Sequence, residues 1–353
     1  SELEPGNGDI ISNIGYIQRR MGNFDQSIIT HEKALVHNPN DPGFRIQMMF
    51  TYDYVRNYSK AIEFCDKVIS LNPSDIDGQI LKVEEKGKLT LDINEMQKGM
   101  EKIKKNFLIE EHEHHYYIFN TNTLSRQYET ALKDINAIGS QILKIQAYYW
   151  PINYMKAEIN ELMGNRDKSK KLFNESLNEL KEYYQQFPSD ERIISQLALN
   201  YAVLNDSINA IKLINSARSI LPIEKDPLNG PIYLVKEAEV YLILGEIDKC
   251  LDLIELSSKI PAGVHALDLL KPKYDKIYDM IHNGDVFFIT ILYEDEFKDY
   301  VGYDAVYEWF DNYPEDNVPI LADSDKFLHS WIKPTGIPTM ILLNEKMDKV
   351  HSV

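Results

Sequence analysis

Chemistry on a protein chain needs nucleophiles, acid–base pairs, metal ligands or phosphate cradles, and this sequence offers few of them. Its cysteines are Cys65 and Cys250 alone, which excludes a CxxC dithiol, a Cys-rich zinc site and a disulfide framework. Both fall where the surrounding helical pattern wants an apolar residue, so they are expected to be buried packing residues rather than reactive thiolates. Glu111-His112-Glu113-His114-His115 sets imidazoles at helical i, i+3 spacing, the reach needed to clip a transition metal. Tyr116 stands where an HExxH motif requires its second histidine, so a solvated helix start is the expectation and no metal is assigned. Glu294, Asp295 and Glu296 follow an apolar run and read as solvated carboxylates rather than an acid–base pair. No Walker A, GxGxxG, GxSxG or EF-hand pattern occurs. The residues therefore predict no catalysis and no cofactor, and a working surface that binds.

The bulk properties say what it should bind. The 353 residues carry 38 Lys and Arg against 55 Asp and Glu, a formal charge of −17. Such a surplus repels nucleic acid and anionic lipid, leaving a protein or peptide partner as the expectation. No run of about 18 apolar residues is present, so membrane insertion is not expected. With 44% hydrophobic residues the chain can bury a real core over roughly two to three domains. Two cysteines suit a reducing compartment without fixing it. Cytoplasm and bacterial periplasm both stay open, the second with a processed N-terminus.

Internal repetition supplies the architecture. Asn38-Pro39-Asn40-Asp41 recurs as Asn72-Pro73-Ser74-Asp75, and Pro188 is followed by Pro222. Both proline pairs are 34 residues apart (73 − 39 and 222 − 188). Between them lie paired segments with apolar residues at helical spacing, each stopped by a proline. The unit is a helix hairpin, repeated. Ile11, Ile14, Gly15, Gly22, Phe24, Ala34 and Pro39 mark the first; Tyr52, Tyr58, Ala61, Val68 and Pro73 mark the second. Leu197, Ala198, Tyr201, Ala210, Ala217 and Pro222 mark a late one. Further hairpins are expected from Ala157, Gly164, Ser169 and Phe173, and from Ala238, Tyr241, Gly245 and Cys250, with a second helix at Tyr128 and Ala131. This pattern resembles the tetratricopeptide repeat family, with Ser27, His31 and Cys65 replacing residues usual in its slots. The resemblance implies a mainly α solenoid over residues 1–283. Residues 75–145 depart from the pattern, with Gly87 and Gly99 and no closing proline. Gly164 lies 24 residues before Pro188 where Gly22 lies 17 before Pro39, which predicts a second helix about two turns longer, protruding from the array.

After Gly284 the period changes. The β-branched and aromatic run Val286–Tyr293 reads as a buried strand, followed by a helix over 303–313, a strand over 318–322, a helix over 325–331 and two more strands at 340–343 and 349–353. With Gly336-Ile337-Pro338-Thr339 opening the third strand, residues 284–353 resemble the thioredoxin superfamily, possessing an α/β order but no cysteine. The resemblance implies that Pro338 is the cis-proline facing the redox site. Dithiol exchange is excluded without thiols.

In a tetratricopeptide array the first helix of each hairpin lines the concave face, so the resemblance implies a peptide-binding surface at Tyr16, Arg19, Arg20, Phe50, Asp53 and Tyr54. Aromatics and arginines concentrate binding energy, and adjacent arginines in an acidic chain would grip an acidic side chain or a C-terminal carboxylate. The carboxylate clamp of chaperone-binding members is not reproduced by Ser12, Asn13 and Tyr16. The expected function is a noncatalytic protein-interaction scaffold with a redox-inactive thioredoxin-like module. The alternative is the client-recruiting part of a bacterial envelope redoxin whose dithiol lies outside this chain.

Overall fold

A computed structural model describes residues 7–146, 148–264 and 266–275, with four short strands beyond them. The chain divides into two compact units, Ser1–Pro272 and Lys273–Val353.

The first unit contains seven helix hairpins. They are α1 (Gly8–Arg20) with α2 (Phe24–His37), α3 (Pro42–Tyr54) with α4 (Tyr58–Leu71), α5 (Ile76–Thr90) with α6 (Ile93–Asn106), and α7 (His112–Leu124) with α8 (Tyr128–Ala137). After a β-hairpin of β1 (Ile142–Ile145) and β2 (Tyr148–Pro151) come α9 (Ile152–Leu162) with α10 (Arg166–Gln186), α11 (Glu191–Val203) with α12 (Ser207–Ile220), and α13 (Gly230–Leu244) with α14 (Ile247–Ser258). A short helix, α15 (Ala266–Leu269), ends the described part of this unit.

One backbone conformation recurs at the turn of every hairpin. Gly22, Arg56, Leu91, Arg126, Gly164, Asn205 and Gly245 take a left-handed backbone between the two helices. In all but the Leu91 turn, the next N–H donates to the carbonyl five residues back, as Asn23 does to Gln18 and Asp206 to Tyr201, both at 2.9 Å. That closure satisfies carbonyls orphaned at the first helix end. The donating residue is Asn, Asp, Gln or Glu throughout and stands at the N-cap of the second helix. Asn57 Oδ1, for example, accepts from the Lys60 N–H at 3.2 Å.

Five residues past each left-handed position is the slot where the helices cross most closely. It holds Ser27, Ala61, Ala131, Ser169, Ala210 and Cys250, all fully buried, because a larger side chain would force the axes apart. In the first hairpin Ser27 Oγ donates to the Gly15 carbonyl at 2.8 Å. The His31 ring fills the space beside Gly15, where an added Cβ would lie 2.6 Å from ring atoms. The third hairpin solves the crossing differently: its slot holds Met96, whose bulk faces Gly87, while Val83 faces Gly99. Those two glycines are the reason this stretch broke the repeat pattern.

First helices touch one another directly, α1 on α3, α5 on α7 and α11 on α13, so they line the shorter, inner side of the stack. Helix α10 has 21 residues against 14 in α2, the two extra turns that the proline spacing predicts. They do not protrude. Leu180 is fully buried with Ile142 and Tyr149 of the β-hairpin, and the Tyr149 and Tyr183 rings meet edge-on at 5.4 Å. The β-hairpin lies where the repeat pattern lapses, between the helix marked by Tyr128 and Ala131 and the hairpin that begins at Ala157.

In the second unit, strands β3 (Thr290–Leu292) and β4 (Ile320–Ala322) pair in parallel, and β5 (Ile341–Leu343) and β6 (Lys349–Ser352) pair antiparallel. The two helices expected there, Pro338, Glu294 to Glu296, and the expected boundary at 283 and 284 lie outside the described residues.

Candidate functional site

Of the six residues expected to bind a peptide, Tyr16, Arg19, Phe50, Asp53 and Tyr54 lie on neighbouring turns of α1 and α3 while Arg20 turns elsewhere, and several are already committed. Arg19 is 2% exposed. Its Nη1 donates to the Gln47 carbonyl at 3.0 Å and to Thr51 Oγ1 at 3.1 Å, and its Nη2 donates to Gln47 Oε1 at 2.7 Å. The guanidinium lies between the Tyr16 and Tyr54 rings, 5.0 and 5.5 Å from their centroids. Phe50 stacks on Tyr54 at 6.5 Å, and burial pushes the Tyr54 hydroxyl up to about 12. Arg20 forms an ion pair with Asp226 in the loop before α13. The adjacent arginines are therefore not an open cationic spot. Helical periodicity turns successive side chains about 100° apart, which sends Arg19 into the α1–α3 interface and Arg20 toward the α12–α13 loop.

Asp53 is held in the same way. Lys88 of α5 reaches Asp53 Oδ1 at 2.7 Å and Glu85 Oε1 at 2.8 Å, with Lys88 9% and Glu85 1% exposed at the side chain. Burial opposes the Lys88 charge, yet the carboxylates of Asp53, Glu85 and Glu84 outweigh it and raise its pKa well above normal. Glu84, next to this triad, is 8% exposed, and its Oε2 is buried without a hydrogen-bond partner. Burial raises its pKa, against the pull of Lys88 and Lys271.

Within electrostatic reach of Glu84, whose charge acts on the Tyr116 hydroxyl, stands an aromatic stack that sequence reasoning missed. Tyr116 of α7 lies 4.8 Å from Trp150, and Trp150 lies 4.2 Å from Tyr148, the rings nearly parallel in both pairs. Lys236 Nζ of α13 sits 5.1 Å from the Tyr148 centroid and donates to Ser195 Oγ at 2.9 Å. The only signal was the aromatic run Tyr148-Tyr149-Trp150, whose alternation sends Tyr148 and Trp150 to one face and Tyr149 to the other.

The segment after α14 completes the neighbourhood. Arg56 Nη2 donates to the carbonyls of Ile260 and Val264 at 3.0 Å each and of Ser257 at 3.4 Å. The Ala262 N–H donates to the Tyr54 carbonyl at 3.0 Å. Leu267 is 2% exposed and packs with Met96 and Leu124. Arg126 Nη1 donates to the Leu270 carbonyl at 2.9 Å. Lys271 pairs with Asp268 at 2.7 Å; burial opposes its charge, and Asp268, Tyr116 and Tyr148 raise its pKa nonetheless.

The remaining candidates are settled locally. Cys65 and Cys250 are fully buried free thiols, and burial pushes both up to about 12, far from the thiolate range at neutral pH. His114 Nε2 bonds Asp77 Oδ1 at 2.7 Å, joining α7 to α5. Among the described residues no cluster of three His, Cys, Asp or Glu side chains is arranged to hold a metal, and no helix is long and apolar enough to cross a membrane.

No known family model matches this chain, and no curated protein matches it. Among solved structures it is similar to YrrB, described as a TPR protein with an unusual peptide-binding site: 16% identity, 54% of this chain and 92% of that one, TM-score 0.31. A tetratricopeptide repeat protein of Parabacteroides merdae is 15% identical over 78% of this chain and 86% of its own, with a TM-score of 0.32. Human IFIT1, solved as a dimer with PPP-AAAA, is 12% identical over 78% of this chain and 64% of its own, with a TM-score of 0.46. Those scores are low, and the helical-repeat assignment stands on the seven hairpins and their shared turn in this chain.

Proposed function

We propose that the chain is a noncatalytic interaction scaffold. The first unit captures an extended segment of a partner protein at the inner surface formed by Tyr54, Glu84, Tyr116, Tyr148 and Trp150. The observation that carries this reading is Glu84. A buried carboxylate oxygen with no hydrogen-bond partner costs about 1–3 kcal/mol or more, and a fold gains nothing by keeping it there. A partner's ammonium or guanidinium, brought against the aromatic stack, would supply the missing donors and a cation–π contact together. The acidic charge of the whole chain, −17, steers the same class of partner toward it.

The second unit fits a redoxin-like module deprived of its chemistry. Its parallel β3–β4 pair and antiparallel β5–β6 pair agree with the strand directions such a module needs. It contains no cysteine, so thiol–disulfide exchange within it has no electron carrier.

Fluorescence polarisation with labelled basic, neutral and acidic peptides tests the reading on the full chain. Basic peptides should bind most tightly, and Glu84→Gln should weaken them by about tenfold, the worth of one charge-assisted contact. Equal binding of all three peptide classes, or no effect of Glu84→Gln, would overturn it.

A further inference from the structure

The segment Ser257–Lys271 is fastened by guanidinium donors from two hairpin turns, the second and the fourth. Arg56 is the left-handed residue of the second turn and Arg126 that of the fourth. A left-handed backbone costs a non-glycine residue roughly 1–2 kcal/mol, and the first, fifth and seventh turns avoid it with Gly22, Gly164 and Gly245. The two arginines that accept this strain are the two whose guanidinium groups donate to the segment's carbonyls. Leu91 and Asn205 carry the same strain in the third and sixth turns, so it is the donated hydrogen bonds, not the strain, that set Arg56 and Arg126 apart.

Donors to backbone carbonyls do not read side chains, so selectivity must come from the side-chain anchors of the segment. The segment has two. Leu267 is buried with Met96 and Leu124. Lys271, four residues on, pairs with Asp268 of its own segment, and the pair keeps a quarter of its surface in solvent, so this anchor is only part desolvated. Its charge acts on the Tyr116 and Tyr148 hydroxyls and on Glu84, which still has an oxygen unserved. The Leu pocket is filled and the cation site is half used.

Building on the scaffold reading above, we propose that Ser257–Lys271 is a built-in competitor for the array's partner. The partner is a peptide segment with the pattern Leu-x-x-x-Lys or Leu-x-x-x-Arg, which displaces it by taking the Arg56 and Arg126 donors, the Leu267 pocket and the cation position beside Glu84. The spacing is read from this segment itself, with Leu267 inside α15 (Ala266–Leu269) and Lys271 two residues past its end.

The probe is a fluorescein-labelled peptide of residues 259–272 of this chain, titrated into full-length protein. Wild type should bind it weakly, because a tethered copy competes at roughly millimolar effective concentration. The double variant Leu267→Ser, Lys271→Glu leaves every receiving residue intact and should bind at least about tenfold more tightly. Should that variant fail to fold by circular dichroism, Lys271→Glu alone serves, together with hydrogen exchange on wild type. Excess peptide should then speed exchange at the Ala262 and Val264 amides. Binding no tighter in the folded variants, or no change at those amides, overturns the competitor. Basic peptides that still bind through Glu84 would then leave the scaffold reading standing, whereas loss of all peptide binding would end both.

Discussion

His31 offers a perturbation whose size follows from geometry. Its ring fills the crossing beside Gly15 and is fully buried. Nδ1 is 2.9 Å from the Ser27 carbonyl, to which it donates, and Nε2 is buried without a partner. A proton on Nε2 would place an unpaired charge in the core near Arg19, and burial, aided by Arg19, lowers the pKa to about 4 from 6.5. The unfolded chain thus takes the proton first as pH falls, so this contribution to stability is complete above pH 6.5 and drains away between 6.5 and about 4. At pH 5 the deficit spans about 1.5 pH units, or about 2 kcal/mol at 1.36 kcal/mol per unit. His31→Phe keeps an aromatic ring over Gly15 and removes the titration, at the loss of one neutral hydrogen bond worth about 1 kcal/mol. Urea unfolding of both proteins at pH 7 and pH 5 isolates the effect, since every carboxylate is common to the pair. Amide exchange in α1 and α2 supplies the local readout that a repeat array requires. Wild type should lose about 2 kcal/mol more than the variant. Equal losses would show that the ring is not held neutral by the crossing, and the packing argument would fail with it.

Glu84→Gln should raise the melting temperature by a few degrees, because it removes an unserved buried carboxylate worth about 1–3 kcal/mol, while weakening basic peptides. Its raised pKa means that the folded form binds the proton first, so wild type should gain stability from this group as pH falls toward its unfolded value, and the variant should not. Lys88→Met should cost about 3–5 kcal/mol, since it strands Asp53 and Glu85 without their shared cation; a loss under about 1 kcal/mol in denaturant titration would refute the triad. Arg56→Gly with Arg126→Gly should relax two turns and release Ser257–Lys271, read as faster exchange at Ala262 and Val264 with α9 to α12 unchanged.

Where one small side chain per hairpin decides the packing, the sequence is readable. Ala61, Ala131 and Ala210 at the crossings, and prolines 34 residues apart (73 − 39), announce the repeat. The turn was equally legible in retrospect, since an Asn, Asp, Gln or Glu follows each left-handed residue, although Arg56, Leu91 and Arg126 disguise positions where glycine would be the cue. The third hairpin hid its register because Gly87 opposes Met96 instead of a small residue opposing a small one. The site was less legible. Tyr16, Arg19, Phe50, Asp53 and Tyr54 were found as a group, but periodicity tells only which face a side chain takes, not whether a neighbour 28 or 35 residues away has claimed it, as Gln47 claims Arg19 and Lys88 claims Asp53. Tyr116, Trp150 and Tyr148 come from a helix and an inserted β-hairpin, a juxtaposition that no repeat pattern encodes.

Hydrogen exchange on the full chain, comparing wild type with the Leu267→Ser, Lys271→Glu variant, bears most directly on the inner side as the working surface. Release of the segment should deprotect residues 50–56 of α3 and its turn and residues 116–126 of α7 and its turn. The second helices α4, α8, α10 and α12 should exchange as before. Deprotection confined to those second helices, or none anywhere, would contradict it.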